Sequence, residues 1–141
     1  KEDLIMSREE LLELYQLGVE IGSHAMTHPQ LTGLTTRQCV EELLRSYEMI
    51  KIDFPDTEIM LSYPFGAFDS RIAEIAAKIG YCGAVANFAS PIRRRTNPWM
   101  MPRYNFFNES SLADIRSRAR AEWPKNMLRD LRDAFYLITE K

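Results

Sequence analysis

An α/β fold with parallel strands and outer helices is what this sequence predicts, on three observations. Helical and strand patterns alternate along the chain. Each strand–helix–strand connection is long enough for a right-handed crossover. About three strands are visible, too few to close a barrel, which takes about eight.

Ser7 and Glu10 form a capping box, with Leu11, Leu14 and Tyr15 following at helical spacing. Gly18 is placed to end that helix, and Val19–Ser23 reads as a short strand. A long helix is predicted from Thr36 to about Asp53, with Val40, Leu43, Leu44, Tyr47 and Ile50 on one face. Pro55 stops it. Glu58–Tyr63 reads as a second strand, ended by Pro64 and Gly66. Asp69 caps a third helix carrying Ile72, Ile75, Ala76 and Ile79, and Gly80 closes it. Tyr81–Phe88 is a small-residue strand. An irregular loop with Pro91, Arg93-Arg94-Arg95, Pro98 and Pro102 follows. Ser110 or Ser111 starts a fourth helix. Pro124 begins a last one, with Leu128, Leu131, Phe135 and Ile138 on its apolar side.

The 141 residues suit one domain, 1–141, and 45% apolar residues suffice for one core. A net charge of -2 argues against a nucleic-acid surface, and the lone arginine run reads as a solvated loop. No apolar stretch reaches the roughly 18 residues that span a bilayer. Cys39 and Cys82 share no metal-ligand spacing and read as free buried thiols. The chain starts at Lys1 without a signal peptide, so we expect a fragment, a processed product or a trimmed chain.

Both histidines fall in Ser23-His24-Ala25-Met26-Thr27-His28-Pro29. Imidazoles at i and i+4 can face one point, and neutral imidazole suits Zn²⁺ and similar ions. The stretch follows a predicted strand, where α/β folds place their sites. HxxxH alone is more often a pair of ordinary surface histidines than a metal site. Leu61-Ser62-Tyr63-Pro64-Phe65-Gly66 also ends a predicted strand, and alone it is a common Pro-Gly turn.

Together the two stretches resemble a known pair. "GVEIGSHAMTHPQLTGLT" and "LSYPFGAFD" look like two motifs of the polysaccharide deacetylases (the chitooligosaccharide-deacetylase homology domain, carbohydrate esterase family 4), in order and suitably spaced. "IAAKIGYCGAVA" resembles the family's next helix and strand, and "MPRYNFF" its later loop; the similarity covers residues from about 8 to 107.

The resemblance implies the C-terminal portion of a distorted (β/α) barrel, incomplete at its N-terminus. It implies a metal-dependent hydrolase that removes N-acetyl groups from N-acetylated oligo- or polysaccharides. His24 and His28 would bind the divalent metal, Zn²⁺ in the usual case, beside an aspartate. A second aspartate would be the general base. The backbone N–H of Phe65 would be the oxyanion contact, and its side chain is not invoked. Arg103 would match the arginine that orients the catalytic aspartate, with a surface or structural ion pair as the alternative. Two ligands of one tetrahedral ion would bring the nearest histidine nitrogens about 3 to 4 Å apart.

The departures are specific. No Asp-Asp pair occurs in the 141 residues, and no third histidine is present to act as general acid. Ser62 stands where some members have Arg. Three readings follow: a hydrolase domain lacking its N-terminal part and inactive alone, a degenerate glycan-binding relative, or a structural fragment needing a partner chain. Incomplete barrel edges lead us to expect a homo-oligomer or strand exchange. The resemblance places the protein outside the cytoplasm or in the cell envelope; its own residues leave the compartment open, the cytoplasm included.

Overall fold

The computed structural model describes residues 5–90, 92–104 and 111–119. The helix expected from Pro124 lies outside these residues, as do the two phenylalanines of the "MPRYNFF" phrase.

Helix α1 spans Arg8–Gln16 and starts with the expected capping box of Ser7 and Glu10. It ends in a Schellman turn. Gly18, at φ 88°, donates to Tyr15, and Val19 donates to Leu14. Helix α2 spans Thr36–Asp53 and opens on a second capping box, Thr35 with Gln38. Its inward stripe is Cys39, Leu43 and Ser46, while Val40 and Leu44 stay 37% exposed. Leu43 is buried and Tyr47 and Ile50 pack against the core as expected, so the face is shifted only at Val40 and Leu44, whose places Cys39 and Ser46 take. Cys39, Leu43 and Ser46 line the buried side of the helix, and Val40 and Leu44 sit on its flank.

Strand β1 is Met60–Ser62. Helix α3, Ser70–Ile79, is capped by the Asp69 carboxylate on the Ile72 N–H at 2.8 Å, and it closes on Gly80 at φ 119°. Ile72, Ile75 and Ala76 are buried along it, as its periodicity predicts. Strand β2 is Gly83–Ala86, and strand β3 is Met101–Pro102. Helix α4, Leu112–Ala119, begins at Ser111, whose hydroxyl accepts from the Asp114 N–H.

The three strands are parallel and ordered β1-β2-β3. Of the strand expected at Val19–Ser23, only Ser23 pairs, as a parallel bridge to Leu61. Its N–H donates to Met60 and its carbonyl accepts from Ser62. Gly18 to Glu20 lie exposed, and only at Ser23 does the chain become buried and reach the sheet. Spatial order thus equals chain order from Ser23 to β3, as in one arc of a (β/α) barrel. β3 was not foreseen, since it is two residues long and one of them is a proline unable to donate.

Leu31, Leu43, Ile59, Leu61, Tyr63, Ile72 and Ala84 form a fully buried core beneath this arc. Cys39 is buried as expected, but Cys82 is exposed. It alternates with buried Tyr81 and Gly83 at the start of β2, so its side chain faces out. Arg93, Arg94 and Arg95 are exposed, as a solvated loop would leave them. No helix among the described residues is long and apolar enough to cross a membrane.

Candidate active site

The site forms where the chain leaves the sheet at the carboxyl ends of its strands. Ser23 is the buried foot of the first loop. Its hydroxyl lies 2.8 Å from the Ser46 hydroxyl and 3.0 Å from that of Tyr81, and it accepts from the Ala25 N–H. Tyr81 donates its single proton to the Leu43 carbonyl at 2.9 Å. Ser23 must therefore donate to Tyr81, and Ser46 to Ser23, so every buried hydroxyl is satisfied. Burial pushes the Tyr81 phenol up, with the serine hydroxyls acting in the opposite direction.

From that foot the loop turns sharply. Ala25 and His28 both hold positive φ, 62° and 59°. The turn folds His28 back onto His24, and both rings face solvent. Their Nε2 atoms are 3.0 Å apart and their ring centroids 4.5 Å. His24 Nδ1 lies 2.6 Å from the Ser62 carbonyl, which can only accept. The His24 proton therefore sits on Nδ1, and Nε2 presents a lone pair. With no ion between the neutral rings, His28 Nε2 is left as the donor to that lone pair, and its proton must move to Nδ1 before Nε2 can bind an ion.

The second loop, after β1, is a tight turn at Pro64–Gly66 with Phe65 at φ 59°. Its backbone hydrogen bonds are donated by Gly66 and Ala67, and the Phe65 N–H donates to no carbonyl of the turn. The Phe65 ring, 60% exposed, stands edge-on to His28 at 4.8 Å. Tyr63 anchors this loop from below. It is fully buried, stacks on Phe68 at 4.7 Å and donates to the Trp99 carbonyl. Burial, and then the nearby Asp69 charge, hold its phenol far above the usual range.

Arg103 follows β3 and reaches the same face. It donates 3.0 Å to the Ser62 hydroxyl and also to the Asn87 side-chain carbonyl. Its Nε–H is buried and has no partner among the described residues. No carboxylate among them pairs with it. His24, Ser62, Val85 and Arg103 share the wall of an open pocket of about 350 Å³.

The structure thus brings all four sequence-predicted residues to one end of the sheet: His24, His28, Phe65 and Arg103. It also adds Ser62 and Asn87, which sequence reading did not assign. Ser62 acts through its carbonyl on His24 and through its hydroxyl on Arg103. A backbone carbonyl leaves no signal in a sequence.

The donor set fits a divalent ion in part. Two nitrogens bound at about 2.1 Å to one tetrahedral ion sit roughly 3.4 Å apart, so a small tilt of either ring suffices. The fixed Nδ1–H of His24 is the outer-shell arrangement that metal-binding histidines use. Among the described residues, no group of three or more His, Cys, Asp or Glu could hold a metal.

Parallel strands in sequential order, with paired imidazoles at their carboxyl ends, define the class: an arc of an α/β barrel with its site at the strand ends. The chain belongs to the polysaccharide deacetylase family, whose model matches residues 2–84. It is 31% identical over 100 residues to chitin deacetylase 1 of Cryptococcus neoformans, which covers 67% of this chain and 21% of that protein. It is 32% identical over 76 residues to YxkH of Bacillus subtilis, which covers 54% of this chain and 27% of that protein. The chain therefore spans about a quarter of the length of these relatives. In fold it is similar to the Streptococcus pyogenes deacetylase PplD in complex with acetate, with a TM-score of 0.75 at 17% identity, over 87% of this chain and 53% of that one. The Bacillus cereus polysaccharide deacetylase BC0361 gives a TM-score of 0.71 at 21% identity, over 84% and 38%.

Proposed function

We propose that this chain is the C-terminal part of a single metal-dependent deacetylase domain, acting outside the cytoplasm on N-acetylated oligo- or polysaccharides. The observation that carries the reading is the His24–His28 approach of 3.0 Å, with the His24 tautomer set by Ser62, at the strand ends of a family fold. The reaction breaks the amide C–N bond and adds water, giving acetate and a free amine. His24 and His28 would hold the ion, through Nε2 in each case. When bound, a divalent ion such as Zn²⁺ supplies polarisation of the amide carbonyl and acidification of water.

The other residues have their own tasks. The Phe65 N–H, which donates to no backbone carbonyl among the described residues, is available to the oxyanion that develops on the carbonyl oxygen. The unpaired Arg103 Nε–H suits a carboxylate, and Ser62 and Asn87 hold the guanidinium in place for it. That carboxylate and the general base would come from outside the described residues, since the sequence contains no Asp-Asp pair.

The test is acetate release from N-acetylglucosamine oligomers in the presence of Zn²⁺. The 141-residue chain should release none, because a positioned acid or base contributes about 10²- to 10⁴-fold and both are lacking. A form of the domain that includes an Asp-Asp motif should release it, and His24→Ala or His28→Ala should abolish that activity. Turnover by the short chain that His24→Ala stops would overturn the assignment of base and acid. A longer form that binds the oligomers without cleaving them would support a glycan-binding relative instead.

A further inference from the structure

The loop that carries the two histidines is held at its tip by one side chain that neither motif contains. Glu42 lies early in α2, fourteen residues beyond His28. One carboxylate oxygen accepts the Met26 N–H at 3.2 Å and the Thr27 N–H at 2.9 Å. The other accepts the Thr27 hydroxyl at 2.8 Å. Met26 and Thr27 are the residues between the two left-handed positions, Ala25 and His28. A non-glycine residue in that region is strained and persists only where its surroundings over-determine it. Here the surroundings at the tip are a single carboxylate, and hydrogen bonds to a charged acceptor are the strong kind.

One turn further along, the same helix supplies Ser46 to the loop's foot at Ser23. A single helical turn therefore fixes both ends of the loop, and the orientation of Met26 and Thr27 decides where His28 emerges. We infer that Glu42 is a positioning residue that clamps the 24–28 loop so that His28 Nε2 meets His24 Nε2. The inference rests on the metal reading only for its use, because the convergence it explains exists without an ion.

The test uses ring signals of ¹⁵N-labelled protein, which are few because the chain has two histidines. In the wild type, a nuclear Overhauser effect should join the two rings, with His24 protonated at Nδ1. Glu42→Ala should remove that effect and let His28 average between tautomers, while the backbone spectrum stays dispersed. Glu42→Gln should keep it, since its one carbonyl oxygen can still accept both N–H groups. Glu42→Asp stops a methylene short and should lose it; this milder change decides the matter if Glu42→Ala does not fold. A ring-to-ring effect and tautomer unchanged in Glu42→Asp would overturn the clamp, even if stability fell. Titration with Zn²⁺ separates the two claims. Wild-type rings that ignore Zn²⁺ while keeping their mutual contact would show that the two histidines alone do not hold the ion, and would leave the clamp standing. If they respond, Glu42→Ala should need roughly tenfold more Zn²⁺ or above, the range seen when outer-shell support is lost, and an unchanged midpoint would overturn the clamp.

Discussion

Replacing Gly66 with alanine should damage stability and site together, by an amount the structure lets us divide. Gly66 sits at φ 71°, and an added Cβ would lie 2.7 Å from Asn87 Cβ and 2.9 Å from the Asn87 backbone nitrogen. The left-handed conformation costs an L-residue about 1 kcal/mol or slightly more. Forcing a methyl against a packed neighbour costs a further 1 to 3 kcal/mol or so. Part of the obstacle is backbone, so a rotamer change cannot relieve it. The total is about 2 to 4 kcal/mol. Gly18 is the built-in control. It has φ 88° and nothing within 4 Å of its added Cβ, so Gly18→Ala should carry only the conformational share, about 1 kcal/mol.

Urea unfolding of the three proteins measures the difference, provided the slope m is common to all. Gly66→Asn refines it. Asparagine enters the left-handed region readily but keeps the Cβ, so it should recover no more than about 1 kcal/mol of the loss. The site consequence runs through Asn87, whose side-chain carbonyl accepts from Arg103. Pushing Asn87 away loosens one prong of that guanidinium. Equal losses in Gly66→Ala and Gly18→Ala would refute the steric half of the reasoning.

Three further outcomes are expected. Ser23→Ala strands the Ser46 hydroxyl and the Ala25 N–H and removes the donor to Tyr81, so it should cost about 1 to 3 kcal/mol in the same unfolding assay. Arg8 grips Asp53 through two hydrogen bonds, of 2.9 Å and 2.5 Å, and holds that carboxyl below its ordinary value. The contribution of a depressed carboxyl is complete above its unfolded pKa and fades as pH falls through the folded one. The urea midpoint should therefore decline on acidification below about pH 4, and Arg8→Ala should show a flatter acid limb; parallel limbs would count against it. Exposed Val19, Val40 and Leu44 lead us to expect self-association in light scattering, and a well-folded monomer at tens of micromolar would refute this.

How much was legible from sequence follows from where each signal lives. Helices α1 and α3 were readable because their caps and stripes are side-chain properties: Ser7 with Glu10, and Asp69 with Ile72, Ile75 and Ala76. Val19 to Gly22 has strand-like composition, but pairing is a matter of where a partner lies, and only Ser23 meets one. β3 is silent in the sequence, since two residues ending in proline carry no periodicity. In the site, the histidine spacing announced a pair with the potential to converge. It could not announce Ser62, which serves His24 by its backbone. Glu42 did leave a trace. It lies between Cys39, Leu43 and Ser46 on the stripe that faces inward, a place where a carboxylate needs a partner. Seeing that required knowing that Cys39 and Ser46, rather than Val40 and Leu44, accompany Leu43 on the inward side.

The two histidines are anchored to different layers, and this has a mechanical consequence. His24 follows the sheet: Ser23 pairs with β1, and the His24 ring is tied to Ser62. His28 follows the helix, because the segment before it hangs from Glu42 on α2. Their separation is then set by how α2 seats on the sheet. Leu43, fully buried and adjacent to Glu42, is the wedge in that seam, and its carbonyl also takes the Tyr81 hydroxyl. Leu43→Ala should cost about 2 to 5 kcal/mol, the usual range for such a cavity. A merely local cavity would lower stability and leave the site alone. If the layers define the site, α2 should settle toward the sheet and carry Glu42 with it, and the His24–His28 ring contact should change in a protein that still folds. Histidine ring spectra identical to wild type, at a clearly lowered urea midpoint, would show that the loop holds its own shape and that the seating of α2 does not reach it.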